Sequence, residues 1–288
     1  AGPGSGKTRV LTHRIAHLIY HNHVSPETIM AVTFTNKAAG EMKERIINLL
    51  GGRVGGLQIG TFHSICARLL RKEGDNTRYG HDFNIFDSDD QLTVMRQAIR
   101  ELAVDSKKFS PERLRYAIST AKNNLITPDE FTPLDYFGET VGRVYPRYQS
   151  ILHENNAMDF DDLLMQMVML LRSNAQVRQK YENRIQYLLI DEFQDTNAAQ
   201  YALVQLLGAP QNNIFVVGDE DQAIYAFRGA DYRNVAQFRR DHPEATQIIL
   251  DQNYRSTQRV LNVARTLIEK NKHRTPKVLF TDRKGGAK

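Results

Sequence analysis

The chain has 288 residues, 41% of them hydrophobic and 25% charged, with a formal net charge of +5. These values describe an ordinary globular protein with room for one large domain or two smaller ones; the positive charge permits a polyanionic partner without demonstrating one. No apolar run approaches the ~20 residues that span a bilayer, no signal-peptide pattern is visible, and a lone cysteine, Cys66, excludes an intrachain disulfide framework and fits a reducing compartment.

The first element is a loop. Ala1-Gly2-Pro3-Gly4-Ser5-Gly6-Lys7-Thr8 reads A-x-x-x-x-G-K-T, the Walker A pattern with Ala where Gly more often stands first. Small residues let successive N–H groups turn into one concavity, so Gly4, Ser5 and Gly6 can cradle phosphate oxygens. Lys7 can then reach the β- and γ-phosphates of a nucleotide, and the Thr8 hydroxyl can bind Mg²⁺. The plainer alternative is a flexible Gly-rich turn. A loop of this kind should follow a buried apolar strand. The reading therefore expects a fragment whose N-terminus is missing, and the C-terminus also ends without an evident closing element.

Val10, Leu11, Ile15, Leu18 and Ile19 recur at helical spacing, which puts Lys7 and Thr8 at a helix N-terminus and adds the helix dipole to the phosphate site. Ile29 to Phe34 is a compact apolar run that predicts a buried parallel strand. Asn36 is expected to cap a helix through Leu50, with Gly51-Gly52 just after it. Residues 57–61 predict another short strand, followed by a helix containing Ile65, Leu69 and Leu70. Strands alternating with helices argue for an α/β domain with a parallel sheet.

From about Asp87 to Asn183 the periodicity is almost only helical, punctuated by Pro111, Pro128, Pro133 and Pro146. That stretch predicts a helical insertion into the α/β domain. Strand character resumes at 187–190 and at 214–217, and a further apolar run at 248–250 leads into a helix from Ser256 to about Lys270.

The strand Tyr187-Leu188-Leu189-Ile190 ends in Asp191-Glu192, the Walker B arrangement. Such strand ends lie beside the phosphate loop in a doubly wound sheet. Asp191 would hold Mg²⁺ through water, and Glu192 would orient and deprotonate an attacking water. Farther on, a strand runs into a polar turn holding Gln222, which is placed to sense a γ-phosphate. Tyr225 and Phe227 follow, then Arg228. Two readings of the rings stand here: platforms for stacking bases, or core aromatics. His21 and His23 do not suggest a metal site, because i,i+2 residues of a helix do not face one another.

The ordered set AGPGSGKT, VTFTNKAAGEM, GTFHS, DFDDLL, LLIDEFQDTN, VVGDEDQAIYAFRGA and LDQNYRST resembles the superfamily 1 helicases of the UvrD/PcrA/Rep type. The resemblance covers the whole chain. It implies a RecA-like P-loop NTPase lobe with a parallel sheet (residues 1–87 and 184–250), a mostly helical inserted subdomain (88–183) and the start of a second RecA-like lobe (251–288). It further implies an ATP-dependent motor moving 3′ to 5′ on single-stranded DNA and unwinding duplex at single-strand/duplex junctions, in bacterial repair or replication and hence in the cytoplasm. AddA- and RecB-like nuclease-helicases share the pattern, and an ATP-gated DNA-binding module that displaces proteins without unwinding is a further alternative.

Residue roles follow from the matching positions. Phe34 matches an aromatic that stacks on a base, with Thr33 and Asn36 near the strand. His63 would lie along the DNA path or else be a structural histidine. Phe160 matches a further stacking position, while Asp161 and Asp162 read as structural. Tyr254 is similar to the residue that stacks on adenine, with Arg9 facing from the other side or simply solvated. Arg255 matches an arginine that reaches the γ-phosphate. The position of Phe227 is usually Trp in this family, and the chain has none. The upstream adenine-reading glutamine motif and most of the second lobe are missing, so this polypeptide alone is expected to bind nucleotide poorly and not to unwind DNA.

Overall fold

The computed structural model describes residues 1–52, 55–208, 210–223, 231, 233–271 and 276–284. In chain order the helices and strands are α1 (Lys7–Tyr20), β1 (Ile29–Thr33), α2 (Asn36–Leu50), β2 (Gln58–Thr61), α3 (Phe62–Lys72), β3 (Asn84–Phe86), α4 (Ser88–Glu101) and α5 (Pro111–Asn123). Then come α6 (Tyr136–Glu154), β4 (Ala157–Asp159), α7 (Phe160–Ser173), α8 (Ala175–Arg184), β5 (Tyr187–Ile190), α9 (Ala198–Gly208), β6 (Ile214–Val216), α10 (Arg233–Asp241) and α11 (Gln258–Ile268). They form two compact units: Ala1–Thr61 with Arg184–Thr196 and Pro210–Lys288, and Phe62–Asn183 with Asn197–Ala209. Among the described residues no helix is long and apolar enough to cross a membrane.

The first unit is α/β. Among the described residues, four strands run parallel in the order β2-β1-β5-β6, with Ala31 opposite both Ile59 and Leu189, and Leu189 opposite Phe215. Every residue of β1 is buried, as its unbroken apolar run predicts for a central parallel strand. Leu11, Ile15 and Leu18 of α1 and Met42, Ile46 and Leu50 of α2 form the apolar stripes that close over Ile29, Ala31 and Leu189. Each such side chain contributes roughly 1.5–3 kcal/mol when fully buried.

The cap of α2 differs from expectation. Asn36 is the first helical residue, and Thr35 is the N-cap, its side chain accepting a hydrogen bond from the Ala38 N–H. Thr35 has the extended backbone that a cap requires (φ −127°, ψ 148°). A Thr35→Ala variant is therefore expected to lose about 1 kcal/mol of stability, read in thermal unfolding. The apolar run at 248–250 enters no strand, and Ile248 and Ile249 are largely exposed.

The second unit is mostly helical. Val94, Met95, Leu114, Ile118, Val144, Tyr145 and Tyr148 build one core shared by α4, α5 and α6. Pro111 starts α5 at the position where a missing N–H costs nothing, but Pro146 lies inside α6 and does not end it. Burial of Val144, Tyr145 and Tyr148 around the proline carries that helix across it. The helical stretch also conceals β4, which pairs in parallel with β3 through Ile85 and Met158. Three-residue strands are too short to show a period of two.

Candidate nucleotide and DNA sites

The phosphate loop ends at the first residue of α1. Gly4 (φ 66°) and Gly6 (φ 86°) take the left-handed backbone that lets the loop curl under the helix N-terminus. Gly6 offers no side-chain cap, which leaves the first-turn N–H groups for an anion. The loop is braced by the Ser5 hydroxyl, which donates to the Gly2 carbonyl at 2.7 Å.

Lys7 is buried at 7% exposure, with its ammonium 3.6 Å from Glu192 Oε2. That distance is an ion pair looser than a hydrogen bond. The Thr8 hydroxyl donates to Asp191 Oδ2 at 2.8 Å. Asp191 is fixed just past β5, its N–H bonded to the Val32 carbonyl of β1 at 2.9 Å. Burial pushes the Asp191 carboxyl upward, against the hydrogen bond from Thr8. Two hard oxygen donors side by side, beside a buried ammonium, are a donor set suited to Mg²⁺ and phosphate. The residues present fit both.

Glu192 follows with φ 50°, left-handed for a residue that carries a Cβ. Its carboxylate accepts from Gln194 Nε2 at 3.1 Å. Gln194 is itself buried, donates to Asp195 Oδ2 at 3.1 Å and accepts from the Asp219 N–H at 2.9 Å. Asp219 in turn accepts from the Gln222 amide and from Lys277, whose ammonium also lies 2.8 Å from Asp221. So Gln222 reaches the acidic strand end through Asp219 and Gln194, two residues that motif reading did not single out. Asp195, also missed, is pushed up to about 6 by burial and by the Glu192 charge.

The LDQNYRST segment lies against the loop within the same unit. Buried Asn253 donates from its side chain to the Pro3 carbonyl at 2.5 Å, and the Tyr254 N–H donates to the Gly4 carbonyl at 2.9 Å. A Cβ on Gly4 would come within 2.6 Å of Arg255 Cβ, so only glycine admits this approach. The side chains of Arg9, Tyr254 and Arg255 are exposed.

The residues matched to DNA contacts are distributed over both units. In the first, Thr33 is buried at the end of β1, Phe34 is half-buried and Asn36 is exposed. In the second, His63 of α3 and Phe160 of α7 meet edge to face with ring centroids 6.0 Å apart, and Phe160 is 45% exposed. Burial pushes the His63 imidazole down to about 4, so it is neutral at pH 7. Tyr225, Phe227 and Arg228 lie outside the described residues.

Beneath Phe160 is a cluster that the motifs did not announce. Lys122, fully buried, places its ammonium 2.7 Å from Asp159 and 2.8 Å from Asp162. Tyr148 donates to Asp159 at 2.9 Å. Asp162 lies buried inside this cluster, and Asp161 accepts from the Asn123 amide at 3.0 Å.

The UvrD/REP helicase N-terminal domain matches residues 1–243. Over the whole chain the sequence is 47% identical to the ATP-dependent DNA helicase PcrA of Bacillus subtilis, of which it covers 39%. It is equally similar to the PcrA helicases of Staphylococcus aureus and Staphylococcus epidermidis, covering 40% of each. The chain thus spans about two fifths of the length of these relatives. With the parallel sheet, the phosphate loop and the acidic strand end in one unit, the chain belongs to the UvrD/REP helicase family.

Proposed function

We propose that this chain is the N-terminal motor part of an ATP-dependent DNA helicase that translocates 3′ to 5′ along single-stranded DNA. The observation that carries the reading is the Thr8–Asp191 contact, with Lys7 and Glu192 beside it, at the C-terminal ends of β1 and β5. Mg²⁺ held by Thr8 and Asp191 would neutralise phosphate charge. Lys7 binds and orients the β- and γ-phosphates from the loop. Glu192, aimed by Gln194, takes the proton of the attacking water. Arg255 adds positive charge where negative charge develops on the transferring group.

In this reading residues 1–87 and 184–250 form a RecA-like lobe, 88–183 a helical insertion and 251–288 the start of a second lobe. Single-stranded DNA is gripped by rings that accept any base: Phe34, Phe160, Tyr225 and Phe227, with Thr33, Asn36, His63 and Arg228 along the path. Its setting is DNA repair or replication in a bacterial cytoplasm. The chain by itself binds nucleotide poorly and does not unwind.

The deciding measurement is ATP hydrolysis by the full-length protein with and without single-stranded DNA, beside a Lys7→Ala control. Strong stimulation that disappears in the control is the expected result. Hydrolysis indifferent to DNA would leave the phosphate site standing and remove the strand from these rings. Translocation without strand separation would favour a protein-displacing module over a helicase.

A further inference from the structure

The sequence D-F-D-D places one aromatic among three acids at the start of α7, and the structure treats them oppositely. Asp159 and Asp162 point inward and are almost fully buried, while Phe160 between them is 45% exposed. The two acids form a reciprocal capping box: the Asp162 N–H donates to Asp159 Oδ1 at 2.8 Å, and the Asp159 N–H donates to Asp162 Oδ2 at 3.2 Å. A capping box alone would hold the first turn. Here it is also gripped from below by the last turn of α5.

Lys122 reaches both carboxylates of the box. Its neighbour Asn123, 8% exposed, uses its amide N–H on Asp161 at 3.0 Å and on the Ser119 carbonyl at 2.9 Å. The Asn123 oxygen accepts from Asn197 Nδ2 at 2.5 Å. Asn197 is itself fixed at the start of α9, exchanging hydrogen bonds with Gln200 at 2.8 Å and 3.0 Å. Asn197 also follows Thr196 directly in the chain, at the end of the segment that carries Asp191, Glu192 and Gln194. Every acid of D-F-D-D is therefore held by α5, and the member that takes none of these bonds is the exposed ring.

Burying a lysine with two carboxylates is costly, and well-packed apolar residues often hold a fold as well. What directed bonds add is geometry: they fix where the first turn of α7 starts and hence where its outward residue points. A ring that must meet a base at stacking distance depends on that placement.

We propose that Lys122 and Asn123 are positioning residues for the Phe160 platform, fixing the first turn of α7 so that the ring presents its face to single-stranded DNA. The inference rests on the reading of Phe160 as a base-stacking position. Neither residue touches DNA or nucleotide. Both act through Phe160.

Asn123 is the better probe, because it is uncharged and its loss leaves the fully buried Lys122–Asp159 and Lys122–Asp162 ion pairs intact. In the full-length protein, Asn123→Ala, Phe160→Ala and the double variant would be compared by the oligothymidylate concentration that half-saturates ATP hydrolysis, the kcat at saturating oligothymidylate, and the melting temperature. Loss of one stacked base is worth about 1–3 kcal/mol, so Phe160→Ala should raise half-saturation by roughly 5- to 150-fold. Asn123→Ala should raise it about 3- to 10-fold, with kcat within about twofold, and should add almost nothing in the Phe160→Ala background. An increase of the same factor in both backgrounds would overturn the proposal, since Asn123 would then act independently of the ring. So would an unchanged half-saturation with a lowered melting temperature, the mark of a purely structural residue. If Phe160→Ala itself leaves half-saturation unchanged, the platform reading fails instead, and the positioning role goes with it.

Discussion

Glu192→Gln is expected to slow ATP hydrolysis by about 10²- to 10⁴-fold, the range for losing a positioned general base, while nucleotide binding stays within a few-fold of the parent. The amide keeps the size of the carboxylate and still offers an oxygen to Gln194 Nε2, now 3.1 Å from Glu192 Oε2. What it loses is proton affinity and the charge that faces Lys7 at 3.6 Å. The phosphate loop, Thr8 and Asp191 are untouched, so the site should bind and then stall. A fluorescent nucleotide measures the first property and phosphate release the second. The left-handed backbone of Glu192 sharpens the expectation, because strain at a residue with a Cβ persists where its surroundings hold it for a purpose. Hydrolysis within tenfold of the parent would sink the assignment. Asp195, whose carboxyl is pushed up to about 6 and which shares Gln194 with Glu192, would then be the base to test.

The elements that carry the nucleotide site are the ones the sequence displays openly. A Gly-rich loop before a helical period, and an apolar strand ending in two acids, are local patterns, and the structure joins their ends through Thr8 and Asp191. What was not legible is pairing between distant residues. Gln194 meets the Asp219 backbone, and Asn123 meets Asn197, although each pair is far apart in the chain. Glutamine and asparagine inside a motif look alike whether they face a ligand or another amide. Lys122 is hidden for a related reason, since a lysine in the last turn of a helix is normally solvated there. The cap of α2 was displaced by one residue because Thr35 and Asn36 are both good caps, and backbone geometry chose between them. The short β3–β4 pair and the exposed run at 248–250 show the converse limit: apolar content alone does not say whether a few residues find a sheet edge.

Lys122→Met is expected to be the most damaging substitution to stability, about 3–5 kcal/mol, because it strands two buried carboxylates without their cation. At about 2–4 °C per kcal/mol, the melting temperature should fall by roughly 10 °C. The sign of its pH dependence follows from the parent cluster. Burial and the Asp159 charge push the Asp162 carboxyl up to about 7, even with the ammonium 2.8 Å away. Asp159 feels the same burial, but the Lys122 ammonium, with hydrogen bonds from Lys122, the Asp162 N–H and Tyr148, holds it below the usual carboxylate range. Removing the ammonium leaves burial unopposed by charge at both acids, so both lean upward. The folded variant then binds more protons than the unfolded chain. Its stability is fully present below the unfolded carboxylate range and drains away as pH rises through the raised values. Relative to the parent, Lys122→Met should accordingly be less destabilised at pH 5 than at pH 8. Adding Asp159→Asn and Asp162→Asn removes the stranded charges and should restore much of the loss at pH 8, while leaving the imprecise start of α7 uncorrected. A loss that is equal at both pH values, or is not relieved by the two amides, would mean that Lys122 fills space and does not neutralise charge.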